Sequence, residues 1–427
     1  MKILDRIKKN ALLKSGAKYS IASTISSVVG MIVGIVNMRW LGPEVLGIWQ
    51  SVTIINSYLP FLQLGIQSTL AVDLPVLLGK KEEDNAFNYI RTTRAFANFL
   101  AILISAVSIV VLIVMLYRHT DTKILVGVMA VLYIAVLTCF NLHFIATYRS
   151  ANAFDKLSKI YIVDAVVSLG LIYFIYRFNY YGLVMYQVVK DSIRVFLMYY
   201  FAPYRKIGYK FDKNIFVSIF KRGLLIMGIN QINGVRQSIP RIVLLGFGGI
   251  KTVGLFSPAL AVKNLMYMVP NQIAQFLQPQ LGYKYGQTKQ ASSLLRYIDK
   301  ITLYIPLLTI PVVVVLWFAM GPVLTYVFPK YLESLLAIRI MMVGFIFACS
   351  HITRDVLFSI RAYPYLYLLY SLDVVMDFGI PFLFIKLSDY SVLTSVSIGM
   401  AVAAFLMYFI NYFIIRHVIT MDKYNEG

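Results

Sequence analysis

The sequence predicts an all-α integral membrane protein of about twelve transmembrane helices in two six-helix, pseudo-symmetric bundles. Three observations carry this. The 427 residues are 59% hydrophobic and only 14% charged, with a mean hydropathy of +0.74, which is the composition of a membrane protein and not of a soluble domain. The apolar residues come in runs long enough to cross a hydrocarbon core, which takes roughly 20 helical residues. The chain also repeats itself. Leu46-Gly47-Ile48-Trp49 returns as Val253-Gly254-Leu255-Phe256 and Gly79 as Gly286, both 207 residues on. Asp164 returns as Asp373, Gly170 as Gly379, and Phe196-Leu197-Met198-Tyr199 recurs unchanged as Phe405-Leu406-Met407-Tyr408, all at 209. The halves are accordingly placed at 1–211 and 212–427.

Spans are expected at 17–39, 45–74, 95–117, 123–147, 159–178 and 182–202 in the first half. In the second they fall at 222–246, 253–281, 299–320, 334–358, 365–386 and 391–415. The segments between them hold most of the net charge of +21, and unevenly: 27 Lys and Arg lie on the side of the termini and seven on the other. This is the positive-inside asymmetry, so both termini are expected in the cytoplasm and no nucleic-acid partner is implied. Two copies in one orientation need an even number of spans each, which six plus six satisfies.

The amino-terminal fourteen residues are basic and amphipathic and lack a cleavage site, so they are expected on the inner membrane surface, with Lys2, Arg6, Lys8 and Lys9 toward anionic lipid. Cys139 and Cys349 fall within spans and imply neither a disulfide framework nor a metal site. His119, His143, His351 and His417 show no ligand spacing. The longest polar stretch, 203–221, joins the halves, and the opposite-side loops leave no room for an extramembrane domain. No phosphate-cradling Gly-rich loop is present, so nucleotide hydrolysis and enzymatic activity are not expected, and no cofactor is implied. Any work would come from a proton or sodium gradient or from the substrate's own. Prolines within spans (Pro60, Pro240, Pro258, Pro270, Pro306, Pro311 and Pro381) point either to bending helices or simply to their ordinary tolerance in membrane helices.

Projected at 100° per residue, the first span aligns Gly16, Ser20, Ser23, Ser27, Gly30 and Gly34 in a small, weakly polar stripe, which reads equally as a close helix contact. At the 207 offset the matching face carries Asn230, Gly234, Gln237 and Arg241, with Asn233 beside it. Amides and a guanidinium cannot face lipid cheaply and must face protein or a watery cavity. Asn56, Pro60, Gln63 and Gln67 are expected on one face of the second span, with Lys263 at the position equivalent to Asn56. Gln187, Lys190, Asp191 and Arg194 form a polar seam in the sixth, where Asp191 and Arg194 can pair at i, i+3. The substrate-binding candidates are thus Arg241, Lys263, Asn230, Gln237, Arg236, Arg194, Lys190, Asn56 and Gln63, lining a cationic cleft between the halves. A cationic cavity binds phosphate or carboxylate. Asp164, Asp373 and Asp377 are candidates for carrying protons or sodium, or else are structural partners of residues such as Arg354.

Arg39-Trp40-Leu41-Gly42-Pro43-Glu44-Val45-Leu46-Gly47-Ile48-Trp49, followed by Leu64-Gly65-Ile66-Gln67 and Leu77-Leu78-Gly79-Lys80, resembles the segment around the first two helices of the polysaccharide flippases. These are the O-antigen and capsule repeat-unit flippases of the multidrug, oligosaccharidyl-lipid and polysaccharide exporter superfamily. The resemblance covers the whole chain in length and span count. It implies translocation of an undecaprenyl-pyrophosphate-linked oligosaccharide from the cytoplasmic to the periplasmic leaflet of the bacterial inner membrane, by alternating access. It further implies partners in the bilayer and in a polysaccharide polymerase and chain-length regulator. The alternatives are an exporter of another small or lipid-linked substrate, of the multidrug-extrusion type, and a membrane enzyme of polysaccharide assembly.

Overall fold

The computed structural model describes residues 2–79, 82–267, 270, 281, 285, 288, 290–348 and 352–421; within these, the side chains of 2–14, 16, 17, 72, 76, 79, 225, 226 and 230 are outside the description. The described chain is helical and contains no strand. In order the helices are α1 (Lys2–Trp40), α2 (Pro43–Val52), α3 (Leu59–Leu62), α4 (Ile66–Gly79), α5 (Glu83–Tyr117), α6 (Thr122–Ser150), α7 (Phe154–Tyr200) and α8 (Lys213–Leu255). They continue as α9 (257–267), α10 (Leu295–Pro322), α11 (Leu335–Ala348), α12 (Arg354–Ser359), α13 (Tyr363–Leu387) and α14 (Val392–Ile419).

Ten helical runs among the described residues are long and apolar enough to cross a membrane. Two features account for the difference from twelve. The runs expected at 159–178 and 182–202 form one 47-residue helix, α7, interrupted at Asn179, whose φ of 54° breaks the helical path. The run expected at 253–281 lies largely outside the described residues. One expectation fails outright. Residues 45–74 are not a single helix: a 3-10 turn at Thr53–Ser57 and left-handed backbone at Leu64 (φ 50°) and Gly65 (φ 69°) break it into α2, α3 and α4. Asn56, Pro60, Gln63 and Gln67 therefore share no helix face, because a 100° projection holds only along unbroken helix. At the amino terminus, α1 runs without a break from Lys2, and its membrane-length part is Lys18–Trp40.

The chain divides into two compact units, Met1–Leu41 with Val52–Gly228, and Gly42–Ser51 with Ile229–Gly427. In the first, α1 packs along α7, while α4 and α5 both pack on α6. The start of α8 belongs here too. Ile219 is fully buried beside Ile66, Phe96 and Leu100, with Phe216 and Phe220 around it. Thr69 donates its hydroxyl to the carbonyl of Ile219 at 3.3 Å, and Arg222 meets Asp73 at 3.2 Å. This approach requires glycine at 65 and 223, since a Cβ on either would run into the backbone of the other. The stripe on α1 does not make a close helix contact within this unit. Ala22, Val29, Val33 and Met38 are the buried apolar residues among the described side chains of that helix, whereas Ser20, Ser27 and Gly30 are exposed and a Cβ at Gly30 or Gly34 would meet nothing.

In the second unit α11 and α13 pack on α14, and α10 packs on α11. Outward-facing positions are apolar in both units: Ile102, Ile109 and Val110 on α5 are 60–70% exposed, as are Leu308, Val315 and Phe318 on α10 at 65–72%. Helices that satisfy their own backbone can present such faces to hydrocarbon. Within the second unit, 42–51 crosses 250–257 closely. Gly47 lies against the carbonyl of Ile250, Gly254 lies against that of Pro43, and Gln50 donates to the Ser257 hydroxyl at 2.7 Å.

Gly65→Val and Gly223→Val are each expected to cost about 2–4 kcal/mol through backbone collision. This would be read as a lowered melting midpoint in detergent, with Gly30→Ala and Gly34→Ala melting like the parent.

Candidate functional site

Polar side chains are buried in an apolar bundle only when something compensates them. In the second unit the compensation is an ion cluster centred on Asp373. This residue, one-third of the way along α13, is 3% exposed. Arg354, at the start of α12 and 1% exposed, grips both of its oxygens, Nη1 to Oδ2 at 2.5 Å and Nη2 to Oδ1 at 3.0 Å. The third face of the guanidinium is used as well: Nε donates to Asn411 Oδ1 on α14 at 2.8 Å, and the group lies 4.6 Å from the centre of the Tyr370 ring. Asn411 in turn donates to the carbonyl of Met407 at 2.7 Å. Three helices are thereby tied at one point.

From α8, Arg236 reaches the same carboxylate at 3.7 Å and Asp377, one turn along α13, at 4.0 Å. Lys263 on α9 makes no ion pair within 4.0 Å among the described residues; its ammonium stands 5.8 Å from the centre of the Tyr267 ring. These side chains line a cavity of about 60 Å³ together with Gln237, Pro240, Tyr267, Met407 and Asn411. Such a volume admits a few water molecules. It is a charged recess, and the charges do not balance: Arg236, Lys263 and Arg354 stand against Asp373 and Asp377.

The first unit repeats the theme with different wiring. Asp164, the repeat equivalent of Asp373, is 5% exposed and accepts from Ser26 of α1 at 3.1 Å. Its cation is Arg194, from the later part of α7, at 3.9 Å, and the other oxygen, Oδ1, has no hydrogen-bond partner. Arg194 is held by Asp191 at 2.5 Å, the i, i+3 pair, and Lys190 stands 3.9 Å from the same carboxylate. Gln187 donates to Asp191 at 3.1 Å. Lys190 and Arg194 here balance Asp164 and Asp191, so this cluster is neutral.

Of the residues singled out in the sequence, Arg236, Gln237, Lys263, Asp373 and Asp377 meet at the recess of the second unit, and Lys190, Arg194 and Asp164 meet in the first. Arg241 is half-buried and outside the recess, whose lining on α8 ends at Pro240. Asn56 and Gln63 lie in the broken segment between α2 and α4, and neither lines the recess. The Asn230 side chain, Cys349 and His351 fall outside the description. Arg354 is the structural partner of Asp373, one of the two uses the sequence left open for that carboxylate, and it is the most deeply buried cation of the site. Asn411, the only asparagine among the 28 residues of α14, is readable as an isolated amide in an apolar run.

The whole chain is similar in fold to solved transporters. It aligns with a multidrug resistance MATE family transporter of the MOP superfamily in an inward-facing conformation at 15% identity, covering 97% of this chain and 100% of that one, with a TM-score of 0.79. An outward-facing conformation of a MATE family transporter of the same superfamily aligns at 16% identity over 95% and 96% of the two chains, with a TM-score of 0.67. A MOP superfamily transporter from Pyrococcus furiosus, described by the reverse polarity of its binding pocket, aligns at 17% identity over the same shares, with a TM-score of 0.66. The fold is that of the MOP-superfamily transporters, in a multi-pass membrane protein. Residues 36–335 match the family of polysaccharide biosynthesis proteins, and the chain belongs to that family. No curated protein matches it.

Arg354→Leu leaves Asp373 buried beside a lost partner and is expected to cost about 3–5 kcal/mol. Lys263→Met breaks no ion pair and is expected to melt within about 1 kcal/mol of the parent. Thermal unfolding of the two purified variants separates the strut from the free cation.

Proposed function

We propose that the chain is a flippase that carries an undecaprenyl-pyrophosphate-linked oligosaccharide repeat unit from the cytoplasmic to the periplasmic leaflet of the bacterial inner membrane by alternating access, with both termini cytoplasmic. The observation that carries this reading is the cationic excess of the recess, with Lys263 outside any ion pair among the described residues. Pocket polarity varies within this fold, as the Pyrococcus furiosus transporter illustrates, so the charge and not the fold argues for an anion. Membership of the polysaccharide biosynthesis family supports a saccharide-bearing cargo. A pyrophosphate is the group on such a lipid that matches an ammonium and a guanidinium.

Lys263, Gln237 and Arg236 would meet the headgroup, with Arg241 one turn on from Gln237 as a further cation. Coupling to protons or sodium would fall to Asp377 and Asp164, since Asp373 has both oxygens engaged by Arg354. The translocated unit would pass to a polymerase and chain-length regulator.

Lys263→Met is expected to lower surface polysaccharide about tenfold or more at unchanged membrane abundance, with Lys263→Arg restoring much of it. Surface polymer would be quantified in cells that depend on this chain alone. Parental amounts in Lys263→Met would remove the anion site from the reading.

A further inference from the structure

The segment 201–212, between α7 and α8, is not a loose tether. Its backbone is fastened inward at three places. Arg94 of α5 donates to the carbonyls of Tyr204, at 3.0 Å, and Ile207. Thr92 reaches the carbonyl of Lys210, and Asp212 accepts from the backbone of Asn214 and Ile215 at 2.9 and 3.0 Å, capping α8. Tyr204 and Ile207 pack beside Leu70, Leu74 and Ile90, and Phe211 stands against Phe216 with ring centres 5.2 Å apart.

With the backbone and the side chains of Tyr204 and Ile207 committed inward, the charges point out. Arg205, Lys206, Lys210 and Lys213 are all exposed. The one acid among them, Asp212, is spent as the helix cap. Exposed rings accompany the cations: Tyr209 is 71% exposed, and Arg205 lies 5.2 Å from the centres of both Tyr199 and Tyr200, themselves 51% and 53% exposed. The position along the helices fixes what this face meets. On α5 the exposed side is polar at 82–85 and turns apolar from Phe99 onward, and Arg94 lies between the two. The anchored segment therefore sits at the edge of the apolar belt, at headgroup depth, where Tyr and Arg are favoured.

We infer that this shelf is a docking site for anionic phospholipid headgroups of the adjoining leaflet, with Arg205, Lys206 and Lys210 taking the phosphates and Tyr199, Tyr200 and Tyr209 seated among the glycerol esters. Each such cation near an anionic surface contributes about fivefold in affinity. Fixing the backbone in advance leaves only the ordering of the side chains for the lipid to offset.

The test uses the full-length protein in nanodiscs of equimolar phosphatidylglycerol and phosphatidylcholine, with lipids retained after release counted by native mass spectrometry. The parent is expected to hold phosphatidylglycerol in preference to phosphatidylcholine. Lys206→Glu with Lys210→Glu, at two exposed positions, is expected to lower that preference at least about twentyfold, and Tyr209→Ala to lower it less. Lys123→Ala, an exposed cation distant in sequence, should retain lipid like the parent. Excess inorganic phosphate should not displace the lipid. Equal retention by the parent and the double variant would overturn the inference, and so would displacement by inorganic phosphate, which would mark a phosphate site in place of a lipid one.

Discussion

A guanidinium and a carboxylate buried in a bundle of lipid-length helices have no water to fall back on, and the arrangement of the second unit follows from how Arg354 and Asp373 solve this. The pair is bidentate, and a third of the arginine's five N–H groups goes to Asn411. Removing one partner of such a pair costs more than the pair contributes, which holds α12, α13 and α14 in one register. With that carboxylate committed, Arg236 and Asp377 share a weaker contact, and Lys263 is left with an aromatic ring for company. Stability and availability are thus divided among like charges by geometry alone.

The two clusters show how a repeat can keep a residue and change its use. Asp164 and Asp373 are equivalent in sequence, yet one is met by an arginine from the far part of its own helix and the other by an arginine from a different helix. The first cluster is neutral and leaves one carboxylate oxygen without a hydrogen bond, while the second carries an extra positive charge. An apolar fold tolerates the paired charges of both because each finds its counterpart within a few ångströms.

Much of the fold was legible in the sequence because a bilayer imposes a coarse rule: apolar runs of a fixed length, with charge between them. The same rule left the use of Asp373 open: as a carboxylate within an apolar run it could carry an ion or pair with a residue such as Arg354, and the structure has the pair, 19 residues apart in sequence. The face drawn through Asn56 and Gln67 failed for a local reason. Two successive left-handed residues, Leu64 and Gly65, end the helix, and hydropathy does not register backbone handedness. The recess itself was half readable. Arg236, Gln237 and Lys263 stand out as polar residues in apolar runs, but their convergence with Asn411 depends on helix packing that no single stretch encodes.

The crossing of 42–51 over 250–257 carries a trace of origin. Residue 43 and residue 250 are equivalent in the repeat, as are 47 and 254, and 50 and 257. Gly47 touches Ile250, Gly254 touches Pro43, and Gln50 bonds to Ser257. Every contact therefore joins a position to its own counterpart or returns with the two roles exchanged, which is the signature of an isologous dimer. A single-half ancestor paired with its own copy would make this same contact, and one glycine would have served both sides of it. Fusion of two such genes would turn that one glycine into two, each free to mutate, with Gly47 still held by the backbone of Ile250 and Gly254 by that of Pro43.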